Sequence, residues 1–175
     1  MTDPDLRSLI RDIPDFPAAG IMFKDITPLL LDHNAVRFAV KELADWARPR
    51  QVDYVVAAEA RGFILGAALA LELDAGFVPA RKPGKLPADT VSAEYILEYG
   101  VDALEMHADA LAHGARVLIH DDLLATGGTA EALADLVERL GATVVGCAFL
   151  LELGFLDGRR RLGGRDVLAL VTYDD

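Results

Sequence analysis

The sequence predicts an α/β fold in which a parallel β-sheet carries helices on both faces. Short apolar runs of strand type alternate along the chain with segments of helical length and periodicity. No repeat, low-complexity tract or change of composition divides the chain, and its 175 residues suit one domain with a sizeable core. We therefore expect residues 1–175 to form a single domain.

The first half of the chain contains three predicted helices and two predicted strands. Asn34 is the expected N-cap of the second helix, and Asp3 or Asp5 lies near the start of the first. The stretch 14–28 is too irregular for a helix and too apolar for a plain linker. The predicted elements are helices at 3–13, 34–47 and 61–73 and strands at 54–60 and 75–80.

The second half begins with a polar loop at 81–90 and a predicted β-hairpin. The hairpin strands are expected at 93–100 and 103–108, with the turn at Gly100-Val101-Asp102. After the hairpin we expect strands at 115–122, 143–153 and 166–173 and a helix at 129–141 that ends at Gly141.

Composition and charge exclude several classes of partner. The net charge of -11 makes nucleic acid and an anionic membrane poor partners. No apolar run reaches the ~18 residues of a membrane span, and the acidic N-terminus is not a signal peptide. The one cysteine, Cys147, lies in an apolar run, which indicates a buried structural thiol and fits a cytoplasmic location.

The stretch "VLIHDDLLATGGT" (Val117–Thr129) combines a strand, two carboxylates, a glycine pair and a helix start. Gly127 and Gly128 allow backbone N–H groups to converge on a phosphate at the helix N-terminus. Asp121 and Asp122 repel phosphate but suit hydroxyl groups, a metal or a developing cation. A ligand with a phosphate beside a diol, such as ribose 5-phosphate, satisfies both halves. The pattern is neither a P-loop nor a dinucleotide-binding turn.

This stretch closely resembles the phosphoribosyl pyrophosphate (PRPP) signature of type I phosphoribosyltransferases. One departure is His120, which stands where an aliphatic residue is expected and which we expect to pack or hydrogen-bond inside the fold. Four further segments resemble adenine phosphoribosyltransferases, in the order of that family and over most of the chain. They are "IPDFPAAGIMFKDITPLL" (13–30), "EARGFILG" (59–66), "VPARKPGKLP" (78–87) and "YILEYGVDALEMH" (95–107).

The resemblance implies the type I phosphoribosyltransferase fold and the conversion of adenine and PRPP to AMP and pyrophosphate. It implies Mg²⁺ carried by PRPP rather than bound directly by protein ligands, and a homodimer. It also implies a base-binding N-terminal region at 1–34, a mobile β-hairpin lid at 88–108, and a non-proline cis peptide near Glu59-Ala60.

The same resemblance assigns roles to individual residues, each of which has suitable chemistry. Asp121 and Asp122 hold the ribose and stabilise its positive charge, Glu98 assists proton movement at the purine, and Tyr99 belongs to the lid. The phosphate group is assigned to Ala125, Thr126, Gly127, Gly128 and Thr129. Pyrophosphate is assigned to Ala60, Arg61, Gly62, Arg81, Lys82 and Lys85, and adenine to Met22, Phe23 and Lys24.

Several of these residues also have a purely structural interpretation. Arg81, Lys82 and Lys85 suit a solvated loop equally well, Phe23 suits a core contact, and Glu98 suits a solvent-facing strand. Two other functions remain open at this point: a phosphoribosyltransferase for a 6-oxo purine, and a non-catalytic regulator that senses PRPP.

Overall fold

The computed structural model describes residues 3–97 and 100–175. Four short 3₁₀ segments, at Arg7–Leu9, Arg48–Arg50, Gly154–Leu156 and Gly158–Leu162, connect the longer elements. The strands are β1 (Arg11–Pro14), β2 (Met22–Asp25), β3 (Tyr54–Ala58), β4 (Gly76–Ala80), β5 (Thr90–Leu97), β6 (Gly100–His107), β7 (Arg116–Leu124), β8 (Thr143–Leu153) and β9 (Val167–Tyr173). The α-helices are α1 (Thr27–Leu31), α2 (His33–Ala47), α3 (Gly62–Glu72) and α4 (Gly128–Arg139).

The central sheet has five strands in the order β4-β3-β7-β8-β9, and every neighbouring pair is parallel. Successive residues of a strand face opposite sides of the sheet. Val55 and Leu118 accordingly share a core with residues of α2 and α3, whereas Val56 and Ile119 share a core with residues of α4. The predicted parallel sheet with helices on both faces is confirmed.

The β5–β6 hairpin packs on the α4 side of the molecule. Its inner face is buried in the same core as α4, through Ala93, Tyr95, Leu104 and Met106. The predicted turn at Gly100–Asp102 is wrong, because β6 begins at Gly100 and Asp102 pairs with Tyr95 of β5. Gly100 is the first residue of β6, but glycine is more typical of turns, which is why the prediction placed a turn there.

The N-terminal region differs from the prediction in its secondary structure. The expected helix at 3–13 is only a 3₁₀ turn at Arg7–Leu9, with the Asp5 carboxylate accepting the Arg7 N–H. The following residues form β1, which pairs with β2 in a separate two-stranded antiparallel sheet. Each strand of this sheet has four residues, too few for a clear alternation of apolar and polar side chains.

The N-cap of α2 lies two residues before the predicted position. Asp32 rather than Asn34 is the cap, and its carboxylate accepts hydrogen bonds from the N–H groups of Asn34 and Ala35. Both Asp and Asn are good N-caps, so local preference alone did not separate them. Among the described residues, no helix combines the length and apolar character required to cross a membrane.

Candidate active site

The loop after β7 forms one wall of a cavity at the carboxyl edge of the sheet. The cavity has a volume of about 200 Å³ and is lined by Arg61, the end of β7 and residues 125–130. Gly127, with φ of +86°, stands directly before α4 in the left-handed region that favours glycine. The five residues predicted to bind phosphate therefore share one cavity with both aspartates, as the sequence pattern required.

Asp121 and Asp122 lie inside β7 rather than beyond its end, because pairing with β8 continues to Leu124. The Asp121 carboxylate accepts the backbone N–H of Asp122 at 2.9 Å. Burial and the neighbouring Asp122 charge raise the pKa of Asp121 well above its usual value. Burial also raises the pKa of Asp122, although the Arg61 cation opposes the shift. The adjacent, largely enclosed carboxylates thus disfavour ionisation of both groups at once while the cavity holds no cation.

One oxygen of Asp122 is buried beside the Arg61 guanidinium. Asp122 is only 4% exposed, and its Oδ2 atom has no hydrogen-bond partner among the described residues. Arg61 Nε approaches this oxygen at 3.1 Å, an ion-pair distance without the alignment of a hydrogen bond. A buried acceptor without a hydrogen-bond donor is costly, and the nearby Arg61 cation offsets part of that cost.

The turn between β3 and α3 approaches the Asp121 carboxylate of the neighbouring strand β7. The Glu59–Ala60 peptide is cis, which confirms the sequence expectation. A side-chain carbon at Gly62 would lie 2.8 Å from Asp121 Oδ1, so only glycine allows this close approach of α3. Ala60, Arg61, Lys82 and Thr129 line a second cavity of about 170 Å³ that also contains both aspartates.

The three cations predicted to meet pyrophosphate have different surroundings. Arg81 binds the Glu59 carboxylate at 3.3 Å, whereas Lys85 is exposed to solvent. Lys82 binds two hairpin residues, Tyr95 and Asp102. The structure therefore brings Arg81 and Lys82 to the Glu59 turn and leaves Lys85 at the surface.

The residues predicted to bind the purine lie on β2. Met22 is half-exposed, and Phe23 is partly buried with the Arg61 guanidinium 5.0 Å from its ring centre. The Lys24 side chain is buried, pairs with Asp12 at 2.7 Å and lies 3.9 Å from the Tyr173 ring centre. The Lys24 ammonium thus has a structural role. Any contact of Lys24 with a purine would have to come from its backbone.

Two predicted lid residues, Glu98 and Tyr99, lie outside the described residues. The adjacent part of the hairpin lies close to the loop predicted to bind phosphate: a side-chain carbon at Gly128 would be 3.5 Å from the Ile96 carbonyl oxygen and 3.6 Å from the Tyr95 ring. The described part of the predicted lid therefore borders the start of α4.

Sequence reasoning missed a segment that supports the loop at 125–129. The Arg159 guanidinium binds the buried Glu152 carboxylate through three contacts of 2.7–3.0 Å. This pair anchors the segment that contains Gly158, where a side-chain carbon would lie 2.2 Å from the Ala125 carbonyl oxygen. A glutamate at the end of the apolar run 143–153, followed seven residues later by arginine, was the available signal.

His120 and Cys147 belong to the core, as expected from the sequence. Nδ1 of His120 donates to the Ala148 carbonyl oxygen at 2.9 Å, and burial lowers the pKa of His120 to about 4. Burial raises the pKa of the Cys147 thiol to about 12. Both side chains are therefore uncharged at neutral pH, and neither lines the cavities of the site.

Within residues 3–97 and 100–175, no group of three or more histidine, cysteine, aspartate or glutamate side chains is arranged to hold a metal ion. The carboxylate oxygens that Mg²⁺ prefers are supplied at this site by the Asp121–Asp122 pair and, in the second cavity, by Glu59.

A parallel sheet with a carboxylate pair and a glycine-containing phosphate loop at its carboxyl edge defines the class of protein. Residues 29–165 match the family model described as the phosphoribosyl transferase domain, which spans more than half of the chain. The chain therefore belongs to the phosphoribosyltransferase family.

Similar proteins place the chain among the adenine phosphoribosyltransferases. The adenine phosphoribosyltransferase of Caldanaerobacter subterraneus subsp. tengcongensis is 56% identical over 99% of this chain and 100% of its own length. The crystal structure of the enzyme from Thermoanaerobacter pseudethanolicus has a TM-score of 0.94 at 55% identity, covering 97% of this chain and 98% of that one. The Saccharomyces cerevisiae enzyme, crystallised with adenine and an imino-altritol bisphosphate, has a TM-score of 0.89 at 39% identity, covering 95% and 96%.

Proposed function

We propose that this protein transfers the phosphoribosyl group of PRPP to adenine, which gives AMP and pyrophosphate. The observation that carries the proposal is the cavity that combines residues 125–129 with the Asp121–Asp122 pair. One part of the cavity suits a phosphate and the adjacent part suits a sugar diol. The adenine complex of the yeast relative supports the choice of base.

The 5-phosphate of PRPP binds to Ala125–Thr129 in this proposal. The N–H groups at the start of α4 are free of intrahelical partners and point toward the loop, and the helix dipole favours an anion there. Thr126 and Thr129 add hydroxyl donors. Anchoring the phosphate fixes the ribose relative to the carboxylates, so much of the rate enhancement comes from positioning.

Asp121 and Asp122 bind the ribose hydroxyls and stabilise the cationic sugar. As pyrophosphate leaves the anomeric carbon, positive charge develops on the ribose, and the two buried carboxylates lie where they offset it. Asp122 Oδ2, which pairs with Arg61 but has no hydrogen-bond donor among the described residues, accepts one hydroxyl hydrogen once Arg61 moves aside. Substrate binding thereby supplies the partner that this oxygen lacks within the described residues.

Pyrophosphate lies between the turn that connects β3 to α3 and the loop at 81–85, which we call the cation loop. Ala60, Arg61 and Gly62 supply backbone and guanidinium donors, and Arg81, Lys82 and Lys85 supply positive charge. In this proposal Mg²⁺ is carried by PRPP, whose phosphate oxygens are ligands that it prefers. When bound, Mg²⁺ neutralises charge on the leaving group.

Adenine lies against Phe23, with backbone groups near Met22 and Lys24 reading its edge. A backbone donor and acceptor accept a 6-amino purine and leave unpaired groups against a 6-oxo purine. Glu98 assists proton movement at the base, and Tyr99 belongs to the lid that excludes water from the reactive sugar. The attacking nitrogen approaches the anomeric carbon from the side opposite to pyrophosphate.

We further propose that the active form is a cytoplasmic homodimer. Ile64 and Leu71 are seven residues apart on α3, which places them on one face of the helix, and they are 47% and 80% exposed. A second copy of the chain that packs on this face of α3 would cover both apolar side chains. Sedimentation velocity of the wild-type protein and of Leu71→Asp tests this: the variant should shift toward the monomer.

The reaction is tested by incubating the wild-type protein with PRPP and adenine, with magnesium or with excess EDTA. The proposal requires equal amounts of AMP and pyrophosphate in magnesium and almost none in EDTA. PRPP binding without any product would contradict the catalytic assignment and favour a PRPP-sensing regulator.

A further inference from the structure

The Lys82 ammonium is bound by two residues of the β5–β6 hairpin. It contacts the Asp102 carboxylate directly and lies 3.1 Å from the Tyr95 hydroxyl. Tyr95 and Asp102 are opposite each other in the hairpin, and the hydroxyl donates to the same carboxylate at 3.2 Å. We call these three residues the Lys82 cluster. It connects the cation loop to the hairpin.

The Lys82 cluster borders the cavity in which the reaction is proposed to occur. Lys82 and Tyr95 both line the cavity that contains Asp121, Asp122 and the Glu59–Arg61 turn. The side chains of Lys82 and Asp102 are 40% and 29% exposed, so a ligand can reach the pair. An anion entering this cavity therefore meets a cation that already has an anionic partner.

Both members of the pair are charged at neutral pH. Partial burial opposes the charge on Lys82, but hydrogen bonding to Asp102 and Tyr95 raises its pKa above the usual value. The hydrogen bond from Lys82 lowers the pKa of Asp102 below its usual value. Pyrophosphate must therefore compete with a full negative charge for Lys82.

We propose that Asp102 is a positioning residue that holds the Lys82 ammonium in the empty site and yields it to pyrophosphate. This inference rests on the proposed function, in which Lys82 contacts the pyrophosphate group. Competition from Asp102 weakens the binding of pyrophosphate and of PRPP, which helps the product to leave. It also ties the hairpin to the cation loop only while the pyrophosphate position is empty.

Calorimetric titration of the full-length protein with magnesium pyrophosphate and, separately, with AMP tests this role. Asp102→Asn should bind pyrophosphate about twofold to fivefold more tightly, the upper part of the range expected for loss of a partly exposed ion pair. Its affinity for AMP should change less than twofold, since AMP lacks the group that competes with Asp102. Equal or weaker pyrophosphate binding by a folded Asp102→Asn would overturn the proposal.

Two further variants separate this competition from general effects. Glu94→Gln removes one carboxylate charge from the exposed outer face of the same hairpin and should leave both affinities unchanged. In a Lys82→Met background, Asp102→Asn should lose its effect; a gain that persists there would overturn the proposal. If Asp102→Asn does not fold, Asp102→Ser provides the same comparison.

The wild-type reaction is measured on the same preparation. Failure of wild-type protein to make AMP would overturn the proposed function. Normal wild-type turnover, with unchanged pyrophosphate affinity in Asp102→Asn, would overturn only the role of Asp102.

Discussion

The Arg61 guanidinium connects the Phe23 ring to the Asp122 carboxylate. It lies 5.0 Å from the ring centre, and its Nε is 3.1 Å from Asp122 Oδ2. A flat base inserted between the guanidinium and the ring needs a spacing of about 7 Å, twice the ~3.5 Å of one stacking contact. A base that stacks on this face of Phe23 must therefore displace Arg61 from the ring, and the Arg61–Asp122 contact would change with it.

The first prediction concerns Phe23 as the stacking surface. We expect Phe23→Ala to raise KM for adenine by about tenfold or more, because loss of one base–aromatic stack costs ~1–3 kcal/mol. Phe23→Tyr keeps the ring face and should stay near wild type. Steady-state kinetics with adenine varied at saturating PRPP measures this, and an unchanged KM in Phe23→Ala would place the base elsewhere.

The carboxylate pair should be important for catalysis but unfavourable for stability. We expect Asp121→Asn combined with Asp122→Asn to reduce kcat by about 100-fold or more, since the sugar loses its stabilising charge. The melting temperature should stay constant or rise, because two buried like charges repel each other. Near-normal turnover of a folded double variant would refute the assigned role.

Gly158 allows a close approach behind the phosphate-binding loop. In Gly158→Ala the new carbon would lie 2.2 Å from the Ala125 carbonyl oxygen, so the loop must move by about 1 Å. A displacement of that size costs about 100-fold in a positioned reaction. We expect weaker AMP binding and a similar fall in kcat/KM for PRPP.

Gly154→Ala is the matched control for this variant. Its new carbon would meet the Asp174 side-chain oxygen at 2.7 Å, and that side chain can rotate away. We expect AMP affinity close to wild type. Equal loss in both variants would show that the effect is not specific to the loop.

His120 should make the fold less stable in mild acid. Because its Nδ1–H donates to Ala148, a second proton must add at Nε2, which is buried without a partner in the described structure. Its pKa is about 4 in the fold and 6.5 when exposed, so the unfolded chain binds more protons between these values. Its contribution to stability therefore falls as pH drops from 6.5 to 4, by roughly 1.4 kcal/mol per pH unit.

Urea unfolding of wild type and His120→Val across this pH range isolates the effect. The difference in unfolding free energy between the two proteins should shift in favour of the variant as pH falls. The comparison cancels the opposite slope from Asp121 and Asp122, whose raised pKa values reduce stability as pH rises through the ordinary carboxyl range. A pH-independent difference would contradict the argument.

The sequence predicted the central sheet because its signals are local. Apolar strand runs, helix periodicity and the glycine-containing loop at 125–129 each lie within one short segment. The β1–β2 sheet was missed because the strands are short and their pairing depends on tertiary contacts. Lys24, for example, is held by Asp12 and by Tyr173, which is far away in the chain.

Side-chain partners in the site were harder to predict than its location. The motif at 81–85 indicated an anion site but not that Arg81 binds Glu59 or that Lys82 binds Asp102. Such pairs depend on how separate elements meet at the sheet edge. The Asp102 partnership was further hidden by the expected turn at Gly100–Asp102, which would have placed this carboxylate in a loop.

The most direct test of the central claim is a magnesium-dependent assay with PRPP and, separately, adenine, hypoxanthine, guanine and xanthine. The account predicts that only adenine yields a nucleotide, AMP, because the β2 backbone pairs with a 6-amino purine. Turnover of hypoxanthine or guanine in preference to adenine would contradict the base assignment and identify the protein as a transferase for 6-oxo purines.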